Sequence, residues 1–121
     1  MRVAGESENY GPEQEHLNNV FGARLRITAL RAFAGPGVEL LEYFAPRDGR
    51  PMPPDSRAAD VWAWETTISE PDAASTQKAL LSARADFVSP GMVILPDLSL
   101  GFAQGLIVRD PDGHLVRITQ P

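Results

Sequence analysis

Residues 105–120 read GLIVRDPDGHLVRITQ. Leu106, Ile107 and Val108 make a short apolar run, Asp110-Pro111-Asp112-Gly113 is a turn signal, and Leu115, Val116 and Ile118 make a second run. Pro111 pre-sets the backbone angle of the second turn position, Asp110 and Asp112 bring carboxylates that cap backbone amides, and Gly113 accepts a positive φ. The stretch is therefore a β-hairpin.

Working back from it, residues 98–108 form a strand containing Gly101 and Gly105, preceded by extended pieces at Phe87-Val88 and Met92 to Leu95. Ser89-Pro90-Gly91 breaks those pieces and Pro96-Asp97 closes them. Residues 73–85 read as a helix that buries Ala74, Ala79, Leu80 and Leu81, with Asp72 or a neighbour as its cap. Before it, residues 61–69 carry the Trp, Thr and Ile content of a strand, with Trp62 and Trp64 packed in the core against the helix. The second half thus runs β-α-β-β-β.

Residues 45–60 hold Pro51, Pro53 and Pro54 among Asp, Arg and Gly, so they form a long loop, because each proline removes a ladder donor. Ahead of the loop, residues 23–33 alternate, placing Leu25, Ile27, Ala29 and Phe33 on one face. Ala34-Gly35-Pro36-Gly37 turns that strand into a second one over residues 38–44. A short helix spans residues 12–20, opened by Pro12, dipole-matched by Glu13 and Glu15, and apolar along Leu17, Val20 and Phe21 beside Gln14. Residues 1–9 offer at best a weak strand at Arg2-Val3-Ala4, followed by a polar run.

A chain of 121 residues, 43% hydrophobic and 22% charged, is a single globular domain. Sixteen acidic residues against 11 basic ones give a net charge of −5 with no basic block, which argues against nucleic acid as a partner. No apolar run approaches the roughly 20 residues of a membrane helix, and no signal-peptide core stands at the start, so a cytoplasmic location without membrane contact is expected. With no cysteine, disulfides, thiolate nucleophiles and sulfur-bound zinc are excluded. Gly35, Gly37, Gly101 and Gly105 build no phosphate-binding loop, and neither His16 nor His114 sits in a triad constellation.

The closing Arg109-Asp110-Pro111-Asp112-Gly113-His114 between two apolar strands resembles the last hairpin of the vicinal oxygen chelate superfamily, which holds glyoxalases, bleomycin-resistance proteins and extradiol dioxygenases. Gly37 to Tyr43 is similar to the fourth strand of such proteins, and Trp62 to Ala85 to the fifth strand and second helix. The resemblance implies an α+β fold in which paired βαβββ modules form an open, curved mixed sheet around a cavity. Residues 1–46 correspond to an incomplete first module without the usual first strand and helix, 47–60 to the linking loop and 61–121 to the second module. A homodimer is one way to cover the sheet edge thereby left open.

The resemblance also places cavity residues. The family's metal positions fall on Glu39, on Glu65 (or Ala63 if the register slips by two) and on Arg117, where a carboxylate is usual. Arginine has no lone pair for a metal, so no metal ligand is assigned. A divalent cation would meet an incomplete ligand set, and Arg117 is expected instead to pair with Glu39 or Glu65. Glu39 and Glu65 are the candidate catalytic carboxylates, and Tyr43, Arg117 and His114 the candidate ligand-binding residues. Two functions remain open. One is a glyoxalase- or dioxygenase-like protein acting on a small molecule with a degraded metal site, and the other a non-catalytic small-molecule-binding protein of the drug-sequestering kind.

Overall fold

The computed structural model describes residues 1–121, and the chain divides into two units, Met1–Arg50 and Pro51–Pro121. In the first unit strands β1 (Arg2–Tyr10), β2 (Arg24–Arg31) and β3 (Val38–Ala45) form an antiparallel sheet in the order β1-β2-β3, with helix α1 (Pro12–Asn18) between β1 and β2. The second unit contains β4 (Glu65–Ser69), α2 (Ala73–Ser82), β5 (Asp86–Phe87), β6 (Val93–Ile94), β7 (Gln104–Arg109) and β8 (Leu115–Gln120). Its sheet runs β4-β8-β7-β5, with β6 also on β7; β4 lies parallel to β8 and every other pairing is antiparallel. The fold is thus α+β with two open sheets, the second mixed. The path β1-β2-β3 repeats the antiparallel path β5-β7-β8, while β4 and α2 have no counterpart in the first unit.

β1 is a full nine-residue strand, where the sequence predicts at most Arg2-Val3-Ala4. Cross-strand polar partners replace apolar burial: Thr28 Oγ1 donates to Glu6 at 3.1 Å, and Arg24 Nε donates to Glu8 at 2.5 Å. Helix α1 ends two residues earlier than expected, at Asn18, and its C-cap Asn19 adopts φ 53°. Its apolar stripe does not pack, since Leu17 and Phe21 are exposed. The helix is tied down by polar groups instead. Gln14, the buried residue of the helix, donates to Asn18 Oδ1, and Asn18 Nδ2 donates to Tyr43 Oη at 2.7 Å. Leu25 is the large side chain fully buried in this unit; Phe33, expected on the same face, is fully exposed because β2 stops at Arg31.

In the second unit Ala73, Leu106, Val108 and Ile118 form the core, with Ile68, Leu80, Phe87, Met92 and Val116 packed on them. Asp72 caps α2, its carboxylate accepting from Ser75 N at 3.0 Å, and Gln120 Oε1 accepts from Ala73 N at 3.2 Å. The helix therefore buries Ala73 and leans Leu80 inward, while Ala74, Ala79 and Leu81, all predicted to be inside, are exposed. The loop after β3 extends further than expected, because residues 61–64 turn rather than extend. Asp60 accepts from the Ala63 amide at 2.9 Å and from the Arg57 amide at 2.7 Å, and the strand starts only at Glu65. The closing hairpin forms with β7 on β8. Asp110 Oδ1 accepts from the amides of Asp112 at 3.0 Å and His114 at 2.9 Å, and Gly113 takes φ +96°. No helix is long and apolar enough to cross a membrane.

Candidate ligand site

Strand alternation sorts the second sheet into two faces. Ile68, Leu106, Val108, Val116 and Ile118 point to α2, which leaves Glu65 and Thr67 of β4, Gly105 and Ile107 of β7, and Leu115 and Arg117 of β8 on the other face. A hollow of about 220 Å³ opens on that second face, lined by Val93, Leu95, Leu100, Phe102, Ile107 and Arg117 together with Ser89, Gly105 and Leu106. Gly105 lets the Phe102 ring settle over the strand, since a Cβ there would lie 3.3 Å from that ring and 2.9 Å from the Ile118 carbonyl.

Two lining residues carry polar side chains. Ser89 is already committed, donating to the Gly91 carbonyl at 2.8 Å and accepting from the Ile107 amide at 3.0 Å. Arg117 is the charged group of the hollow. Its Nη2 stands 2.9 Å from one Glu65 oxygen and 3.0 Å from the other, and its Cζ lies 6.0 Å from the Phe102 ring centre. Both members of the pair are half-buried, Arg117 at 34% and Glu65 at 24% side-chain exposure. The parallel register explains the meeting: Glu65 is opposite Leu115 and Thr67 opposite Arg117, so the guanidinium reaches diagonally to the neighbouring strand. Ala63 lies in the turn before β4, and Glu65 is the carboxylate that the strand presents.

The other sequence-derived candidates are not among the residues that line the hollow. Glu39 stands in the first unit, exposed on β3 opposite Ala29 and on the strand face of Leu41 and Tyr43. The Tyr43 hydroxyl accepts the Asn18 hydrogen bond and so fastens α1 to its sheet. His114, at the start of β8, stacks on Trp64 with ring centres 3.6 Å apart and 20° between planes, and its Nδ1 is 3.6 Å from Asp110 Oδ2. It borders a separate, small hollow of about 40 Å³ beside Met52, Ser56 and Arg57. The tryptophans are not core residues under α2: Trp64 covers His114, and Trp62 Nε1 donates to Ser56 Oγ at 3.0 Å. The sequence reading misses Leu100 and Phe102 as lining because it runs one strand through residues 98–108. The Asp97-Leu98-Ser99-Leu100-Gly101 turn composition was the available signal, and Gly101 indeed turns there at φ +80°.

The crystal structure of a glyoxalase family protein from Bacillus cereus matches this chain with a TM-score of 0.70 and 16% identity, over 98% of this chain and 76% of that one. The fold is glyoxalase-like. No family model and no curated protein matches the sequence. A glyoxalase-like fold raises the question of a divalent metal, and the second unit's donors do not fit one. Both oxygens of Glu65 face Arg117 Nη2, and neither unit gathers three His, Asp or Glu side chains.

Proposed function

We propose that this glyoxalase-like chain is a small-molecule-binding protein that holds its ligand in the Phe102–Arg117 hollow of the second unit. The observation that supports the reading is the hollow's make-up, an almost wholly apolar wall of Val93, Leu95, Leu100, Phe102 and Ile107 with the Arg117 side chain among its lining residues. Ligand sites of this kind are mostly apolar with a few polar groups that fix orientation. Arg117 is the orienting residue in this reading, and Glu65 holds it in place. Binding without chemistry is favoured over a lyase or dioxygenase because Glu65, which with Glu39 would have to serve as ligand or base, is neutralised by Arg117.

The same reading includes a homodimer, supported by the apolar side chains exposed in the first unit, among them Phe21, Phe33 and Leu41. Elemental analysis of protein purified without chelator, together with a thermal-shift screen of small aromatic and branched organic molecules, tests the proposal. Metal-free protein stabilised by at least one such class is the expected result. One Ni, Zn, Mn or Fe per chain would overturn it in favour of the metal-dependent enzyme.

A further inference from the structure

We infer that Asp48 is a site of spontaneous modification, isomerising to isoaspartate through attack by the Gly49 amide, while the chain's other Asp-Gly pair, Asp112-Gly113, is shielded by its turn. The inference is independent of the ligand hollow.

Of the eight aspartates in the chain, two are followed by glycine. Isomerisation needs the next residue's amide nitrogen to reach the aspartate Cγ. Glycine has no Cβ to obstruct that approach and lets the backbone rotate into it. The N–Cγ bond forms as the carboxyl hydroxyl leaves with the amide proton as water, giving a five-membered succinimide. A solvent water then opens the ring. Opening at the Cγ carbonyl restores aspartate, whereas opening at the former peptide carbonyl leaves the main chain running through Cγ. Atoms balance without any further reactant.

The two pairs differ in what holds the attacking amide. In the turn between β7 and β8 the Gly113 amide donates to the Asp110 carbonyl at 3.0 Å, and the Gly113 carbonyl accepts from Arg109 Nη1 at 2.8 Å. Asp110 Oδ1 holds the amides on either side, those of Asp112 and His114. Attack on Asp112 must first open the turn. Asp48 and Gly49, by contrast, are exposed within residues 46–53, a stretch without helix or strand. Neither makes a hydrogen bond, and the one beside them, from Arg47 Nε to the Phe44 carbonyl, leaves their peptide untouched. The two residues also line a hollow of about 520 Å³ with Val20, Tyr43, Pro46 and Arg47, so the methylene that isomerisation adds to the main chain changes that wall.

The full chain is aged for several weeks at neutral pH and physiological temperature, folded or in guanidinium chloride. It is then digested and read by electron-transfer mass spectrometry, which separates isoaspartate from aspartate. Folded protein is expected to carry at least about tenfold more isoaspartate at Asp48 than at Asp112, since the turn opens only in a minor population. In denaturant the two should agree within about threefold, because the turn no longer persists. Gly49→Val puts a branched side chain on the attacking residue and should cut isomerisation at Asp48 by about tenfold or more. A Cβ at Gly49 meets nothing within 4 Å, so the fold accommodates that variant. No isoaspartate at Asp48 in the folded chain, or as much at Asp112, would overturn the inference. So would an equal excess at Asp48 in denaturant, which would trace the difference to the flanking residues rather than to the fold.

Discussion

Gly113 combines two constraints at one position: its φ is +96°, and a Cβ built on it would stand 2.9 Å from Met52 Cβ. Gly35 has a similar φ of +85° but nothing within 4 Å of the added atom. Gly35→Ala is thus expected to cost about 1 kcal/mol from backbone strain alone. Gly113→Ala should cost about 2–3 kcal/mol, because Met52 must also give way. Urea unfolding of the two variants side by side measures the difference, and equal losses would show that Met52 does not press on the turn. Asp97 provides a pH-dependent counterpart. The Ser99 hydroxyl and the Ser99 amide, the latter at 2.9 Å, hydrogen-bond its carboxylate and hold it below the usual range. A carboxyl depressed in the folded state adds stability that is complete above its unfolded value and fades as pH falls through the folded one. Carbon-detected NMR titration should therefore find Asp97 below the roughly 3.9 of an unperturbed aspartate. Ser99→Ala should return it only part of the way, since the amide remains; an unchanged midpoint in that variant would show that the hydroxyl does not contribute.

At the level of elements, α2 separates what helical spacing implies from what packing selects. Leu81 falls on the stripe that spacing assigns to the core, yet it is 56% exposed, while Leu106 on β7 is 1% exposed at the centre of the core. Leu106→Ala is expected to lose about 2–5 kcal/mol through the cavity it leaves. Leu81→Ala should stay within about 0.5 kcal/mol of the wild type, as surface substitutions do. A large loss in Leu81→Ala would restore the sequence-derived helix face. The reason that face was misjudged is physical. Alanine is equally at home inside and outside a helix, so Ala73, Ala74 and Ala79 give no direction, and the rotation of α2 is set instead by Gln120 receiving the Ala73 amide. The hairpin was legible for the opposite reason, since Asp110, Pro111 and Gly113 each have a local preference that the turn satisfies without help. Strand β1 was not legible, because its polar residues favour a strand only once Thr28 stands opposite Glu6 and Arg24 reaches diagonally to Glu8. In the candidate site the Arg117–Glu65 meeting could be expected from residue type and strand order. Its hollow could not, because the wall comes from a turn at Leu98–Gly101 that the sequence reading carried straight through.

For the whole molecule, the apolar side chains that the first unit leaves exposed carry the argument for a second copy. A three-stranded sheet with one short helix has few ways to bury apolar surface, and here only Ala23 and Leu25 are buried hydrophobics. The two faces of the sheet are not equivalent. One carries the Arg24–Glu8 and Arg26–Glu42 ion pairs along with Leu40, and such a face is at ease in water. The other carries Ile27, Ala29 and Leu41 beside the exposed Glu39 and without any ion pair, and Leu41 remains 42% exposed. If a second copy provides the cover, as proposed, it should use the face of Leu41. Sedimentation at micromolar concentration is expected to give twice the chain mass. Leu41→Glu should weaken the dimer by about tenfold or more, the cost of burying a charge without a partner, whereas Leu40→Glu, on the already charged face, should shift it by less than about threefold. A chain that sediments as a monomer at every concentration would end the homodimer proposal, and a dimer indifferent to Leu41→Glu would move its interface away from this sheet.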